Sequence, residues 1–125
     1  MLQQYGLSEA ELLIMDMIWS YDRPFLFSEI MDYLSTKENK TWKKQTLHTY
    51  LTRLIKKGVL VSFGNGRKHS YKSALSKEEY IQQWTRKFID ESFEGSLGKF
   101  ILALSGNCRN LSQEDLNELR DFLEK

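Results

Sequence analysis

The feature that most constrains this chain is a helical repeat, closed by a glycine, that runs straight into a strand–turn–strand. Across residues 43–57, Leu47, Tyr50, Leu51 and Leu54 fall on one side of a helix. Gln45, Thr49, Thr52 and Lys56 fall on the other side, with Thr46 and His48 on the two flanks. Gly58 stands where a left-handed C-cap belongs, and Lys56 and Lys57 before it suit the negative helix end. Residues 59–63, Val-Leu-Val-Ser-Phe, read as a strand. Gly64-Asn65-Gly66 supplies a turn tolerant of positive φ, and residues 67–73 return as a second strand.

Two further helices precede this unit. Ser8-Glu9-Ala10-Glu11 has the form of a reciprocal cap, and Leu12, Met15, Ile18 and Trp19 then recur at helical spacing over residues 9–20. Asp22-Arg23-Pro24 breaks that helix. Residues 28–36 form a second, short helix with Ile30, Met31 and Leu34 inward, and residues 37–41 are a polar turn. Three helices followed by a β-hairpin predict a mainly α fold, an N-terminal winged helix-turn-helix over residues 1–75.

Residues 76–125 predict a second, helical domain. Ser76 can cap a helix over residues 77–93 whose stripe carries Tyr80, Ile81, Trp84 and Phe88. Phe100-Ile101-Leu102-Ala103-Leu104 is an apolar helical segment, and a last helix follows Ser112 with Leu116 and Leu119 apolar. Leaving several large apolar side chains wet is costly, at roughly 1.5–3 kcal/mol each. So short a set of helices covers its stripes most simply with a second copy of itself. The expectation is a helical dimerisation arm, with Ile81, Trp84, Phe88, Phe100, Ile101, Leu104, Leu116 and Leu119 at a homodimer interface.

Charge is distributed as duplex binding requires. The net charge is only +1, but residues 36–72 hold ten lysines and arginines against Glu38 alone, inside an acidic remainder. Such asymmetry is expected where one surface meets phosphate. The first turns of the third helix concentrate polar groups that can reach base edges in a major groove. Lys44, Gln45, Thr46, His48 and Thr49 are the candidate base readers. Trp42, Lys43, Arg53 and Lys57, with Arg67, Lys68, His69 and Tyr71 of the hairpin, are candidates for the DNA backbone. Trp42 also reads as a staple between helix ends, and Tyr71 as a ring packed under the hairpin.

Other function classes find little support. His48 and His69 are the only histidines and Cys108 the only cysteine, with no local signature of a nucleophile, a metal site or a phosphate loop. No cofactor and no enzymatic activity are expected. A lone cysteine suits a reducing compartment. The first residues carry no secretory pattern, and no apolar run is long enough to span a bilayer. The expected location is the cytoplasm. The rivals are a protein-interaction module on the same scaffold and a small hydrolase.

The chain also resembles the penicillinase repressor family, which includes methicillin-resistance repressors and copper-responsive repressors. The resemblance rests on Leu7-Ser8-Glu9-Ala10-Glu11, Met17-Ile18-Trp19, Trp42, Thr46-Leu47 and Thr49. It continues through Leu51-Thr52-Arg53-Leu54, Lys56-Lys57-Gly58, Tyr71 and Leu111-Ser112-Gln113-Glu114-Asp115 with Glu118-Leu119. It implies a dimeric repressor on palindromic operator DNA that controls β-lactam-resistance-type genes. It also implies base readers at Gln45, Thr46 and His48. Lys43-Lys44 replaces the family's frequent Ser-Pro, and His48 stands where Arg is common. In the β-lactam branch a membrane sensor protease system triggers cleavage of the tail. The corresponding bond here is Ala103–Leu104, without the usual Asn-Phe pair. The copper branch carries a cysteine-rich tail that Cys108 alone does not supply. Response to a metal or another signal is the alternative.

Overall fold

The computed structural model describes residues 4–64, 69–105 and 112–123. They form two compact units, residues 1–84 and 85–125. The division falls inside the fourth helix.

In the first unit, helix α1 (Glu9–Tyr21) starts as expected. Ser8 Oγ accepts from the Glu11 N–H (3.2 Å), and Glu11 Oε1 accepts from the Ser8 N–H (2.8 Å). It ends on Asp22, which adopts the left-handed conformation (φ +47°) and donates its N–H to Ile18 O. Ile14 and Met17 are buried along with Met15 and Ile18, so α1 is the central helix and not a one-sided one. Trp19 is partly buried and donates Nε1–H to Leu75 O (3.0 Å), tying α1 to the chain leaving the sheet.

Strand β1 (Phe25–Leu26) was not expected. It pairs antiparallel with the later strand β3 through Phe25–Tyr71 and Leu26–Ser70. Two residues in an aromatic run carry no alternation from which pairing could be read. Helix α2 (Phe27–Lys37) buries Ile30 and Leu34. Helix α3 (Lys44–Lys56) buries Leu47, Leu51 and Leu54, and Gly58 (φ +78°) turns the chain out of it. Strands β2 (Leu60–Phe63) and β3 (Ser70–Ser73) pair antiparallel, Ser62 opposite Tyr71, which gives the sheet order β1-β3-β2. Helices and hairpin therefore form the winged helix-turn-helix, with one extra strand. Asn65, Gly66, Arg67 and Lys68 of the turn lie outside the described residues.

Helix α4 (Lys77–Ser92) opens with Ser76 and Glu79 capping each other. Its first half belongs to the first unit. Buried Tyr80 donates its hydroxyl proton to Tyr5 O (2.8 Å), and Trp84 meets Tyr5 edge-on at 6.3 Å between ring centres. Tyr5 and Gly6 both have positive φ in a turn closed by Gln4–Leu7 hydrogen bonds. A Cβ on Gly6 would lie 2.9 Å from Trp84 Nε1. Trp84, half-buried, therefore contacts Tyr5 and Gly6 of its own chain.

The second unit holds the end of α4, helix α5 (Leu97–Ser105) and helix α6 (Gln113–Leu123). Phe93 packs edge-on against Phe88 and Phe100, at 5.8 and 5.5 Å. Ser96 caps α5, and Ser112 caps α6 through the Asp115 N–H. None of residues 85–104 and 112–121 is fully buried. Cys108 lies outside the described residues.

Candidate nucleic-acid interface

Helix α3 is amphipathic in the sense read from sequence. Gln45, Thr49, Thr52 and Lys56 are exposed, while Leu47, Leu51 and Leu54 are sealed in the core. Burying three leucines on one side forces the polar residues on the other to face solvent. Thr46 is half-buried on one flank. His48 is exposed on the other flank and stacks on Phe27 of α2, ring centres 4.6 Å apart. This stack holds the imidazole at the margin of the polar face. Thr49 donates its hydroxyl proton to Gln45 O (3.0 Å), which leaves its lone pairs and methyl group outward.

The cations around this face are largely uncommitted. Among the described residues the ion pairs are Arg23–Glu29, Glu11–Lys57, Asp16–Lys77, Lys87–Glu91 and Glu94–Lys99. Lys43, Lys44 and Lys56 are exposed and take part in none of them. Lys72 on β3 is exposed and lies 5.6 Å above the Phe63 ring. His69 is exposed at the start of the returning strand. Arg67 and Lys68 fall outside the described residues.

Four of the candidate backbone contacts, Lys57, Trp42, Arg53 and Tyr71, have neighbours within the protein. Lys57 is not a free cation: its Nζ donates to Glu11 Oε1 (2.7 Å) and to Gly6 O (2.8 Å). Glu11 is almost wholly buried, and its Oε2 has no partner. Burial alone would raise the Glu11 pKa, but hydrogen bonds from Lys57 and Ser8 and the lysine's charge outweigh it and hold the carboxyl below its ordinary value. The sequence showed Glu11 as a cap, and nothing local marked it as the partner of a residue at the far end of α3. Trp42 is partly buried and packs on Tyr50 (5.0 Å), so it staples the start of α3 instead of projecting outward. Arg53 is exposed, with its guanidinium 5.8 Å from the Tyr50 ring centre. Tyr71 is 6% exposed, its ring seated in the core at the middle of the sheet, and burial pushes its pKa up. Phe27 was not anticipated at this surface, because only the adjacency of α2 to α3 brings it against His48.

A model of the penicillinase repressor family matches residues 7–125. The penicillinase repressor of Bacillus licheniformis is 34% identical over 119 residues, 95% of this chain and 90% of that protein. The methicillin resistance regulatory protein MecI of Staphylococcus aureus is 26% identical over 121 residues, 97% of this chain and 95% of that one. The solution structure of the DNA binding domain of the repressor BlaI superposes with a TM-score of 0.51 at 34% identity. That match covers 64% of this chain and 94% of the domain.

Proposed function

The chain belongs to the penicillinase repressor family of transcriptional repressors, which are not enzymes, and from that premise we propose that it represses by placing α3 in the major groove of operator DNA as a homodimer. The observation that carries this reading is the outward polar face of α3, bordered by Lys43, Lys44 and Lys56 without acidic partners. A major groove admits an α-helix, and the amide of Gln45 suits the N6 and N7 edge of adenine. Lys44, Thr46, His48 and Thr49 extend that reading surface, and Lys43, Arg53, His69, Arg67 and Lys68 would meet phosphate.

Dimerisation rests on the second unit. Phe88, Leu97, Leu102, Leu104 and Leu116 are exposed there, and a second copy of the chain would cover them. Two copies related by a twofold axis would read a palindromic operator and block transcription. The names of the relatives support β-lactam-resistance-type target genes. Release by tail cleavage at Ala103–Leu104, through a membrane sensor protease system, would act inside α5, where both residues are exposed. That helix would have to unwind first, since a protease takes an extended strand. Cleavage would detach α6 and lower avidity. No described helix is long and apolar enough to cross a membrane.

The test is titration of the full chain against a duplex spanning the region upstream of its own gene, beside a scrambled duplex, at several salt concentrations. The expected result is preference for the first duplex and a steep fall of affinity with salt. Equal, weak binding to both, with tight binding to an acidic protein instead, would favour the interaction-module reading.

A further inference from the structure

A cleft of about 660 Å³ opens within the first unit, between the start of α1, the turn that joins α2 to α3, and one side of α3. A volume of this order suits a small molecule. Trp42 and Tyr50 line it, both partly buried, with ring centres 5.0 Å apart. The turn is fixed by its own backbone: Asn39 takes φ +54°, and the Lys40 N–H donates to Leu34 O (2.8 Å). Glu38 and Lys40, on either side of Asn39, are thereby held at the cleft.

Two observations point to an occupant that carries both signs of charge and a ring. The first is that Glu9, Glu38, Lys40 and Arg53 all line the cleft, yet none takes part in an ion pair among the described residues. Standing apart, they leave two carboxylates for an ammonium group and two cations for a carboxylate. A purely anionic ligand would face Glu9 and Glu38, and a purely cationic one Lys40 and Arg53. The second is the aromatic surface in the same cleft. Trp42 and Tyr50 present flat apolar area that a ring covers in an offset or edge-on arrangement. Arg53 adjoins it, its guanidinium 5.8 Å from the Tyr50 ring centre.

We propose that this cleft binds a small zwitterion carrying a flat ring, the chemistry of an aromatic amino acid, and that the ligand's carboxylate engages Arg53 and so withdraws that guanidinium from the operator backbone. Binding stands on the cleft alone, while the effect on DNA rests on the operator-binding reading. Lys40 would join Arg53 on the carboxylate, Glu9 and Glu38 would hold the ammonium group, and the ring would lie against Trp42 and Tyr50. Tyr50 and Arg53 belong to α3, so an occupant touches the reading helix itself. It would act as an effector that weakens operator binding without cutting the chain.

The experiment titrates the full chain with free phenylalanine to millimolar concentration and follows the indole N–H resonances and the backbone amides. The Trp42 indole and the amides of Glu38, Lys40 and Arg53 should shift together, while the Trp19 indole, bonded to Leu75 O, should stay in place. Phenylpropanoate, which lacks the ammonium group, and phenethylamine, which lacks the carboxylate, should each bind about tenfold more weakly, as expected for lost hydrogen bonds between charged groups. Glu38→Gln and Lys40→Gln should each weaken phenylalanine by about fivefold, with thermal melts that match the wild type. Resonances at Trp42 that do not move, analogues that bind as well as phenylalanine, or affinity that both variants leave unchanged would each overturn the site. Fluorescence anisotropy on the upstream-region duplex then reads the effect on DNA. Saturating phenylalanine should weaken binding and lower the salt slope by about one, and Arg53→Gln should abolish that response. Phenylalanine that fills the cleft and leaves duplex affinity unchanged overturns the withdrawal of Arg53. A wild type that binds no duplex overturns the repressor reading and leaves the cleft to be judged by the resonances.

Discussion

Replacing Lys57 by Met should destabilise the first unit more than any ordinary surface substitution. Met keeps most of the apolar stem and removes the ammonium group with its charge and its two hydrogen bonds. In the native protein Lys57 Nζ lies 2.7 Å from Glu11 Oε1 and 2.8 Å from Gly6 O, while the Glu11 side chain is 2% exposed. Glu11 Oε2 already lacks a partner, so losing Lys57 leaves a buried carboxylate with little beyond its bonds to Ser8. Removing one partner of a fully buried pair costs about 3–5 kcal/mol, and the partly solvated ammonium end brings the expected loss to about 2–3 kcal/mol. For a domain of this size that is a fall in Tm of roughly 8–15 °C. The pH dependence has a definite sign. Glu11 is held below its ordinary value in the folded wild type. Its contribution is therefore present above the unfolded carboxylate pKa and is lost as pH falls through the folded one. In the variant, burial dominates and the same carboxyl shifts upward, so protonation relieves the folded state. The stability gap between wild type and variant should be widest near pH 7 and shrink towards pH 4. Urea denaturation across that range measures it. A gap under about 0.5 kcal/mol at pH 7, typical of exposed pairs, would refute the reasoning, as would a gap that does not change with pH.

Gly6→Ala places a Cβ 2.9 Å from Trp84 Nε1 on a residue with φ +74°, so thermal melting should show a loss of about 1–2 kcal/mol. Gln45→Ala should weaken the matched duplex by about 1–3 kcal/mol and leave the scrambled duplex almost unchanged, as read by competition gel shift. Leu104→Glu, at a residue 45% exposed on α5, should raise the dimer dissociation constant in sedimentation equilibrium while leaving the near-ultraviolet signature of the first unit intact.

What could be read from the sequence was what repeats or punctuates locally. The capping residues Ser8, Ser76 and Ser112 and the glycine at 58 are local chemistry, and they placed helix ends to within a residue or two. The amphipathic division of α3 follows from its spacing alone. Strand β1 escaped because its pairing partner, Tyr71, lies far along the chain and two residues have no period. The long-range contacts of two side chains were hidden for the same reason. Lys57 finds Glu11, and Trp84 finds Tyr5 and Gly6, across long sequence separations. From sequence the first looked like a surface cation and the second like uncovered apolar surface. Tyr71 carries both readings, because a tyrosine can bury its ring and still present its hydroxyl.

The most direct measurement is amide chemical-shift mapping of the full chain titrated with the upstream-region duplex. The largest shifts should fall on Gln45, Thr46, His48, Thr49, Thr52 and Lys56, with a secondary shift at His69. Shifts gathered in residues 85–123 while the outward face of α3 stays unmoved would contradict the account.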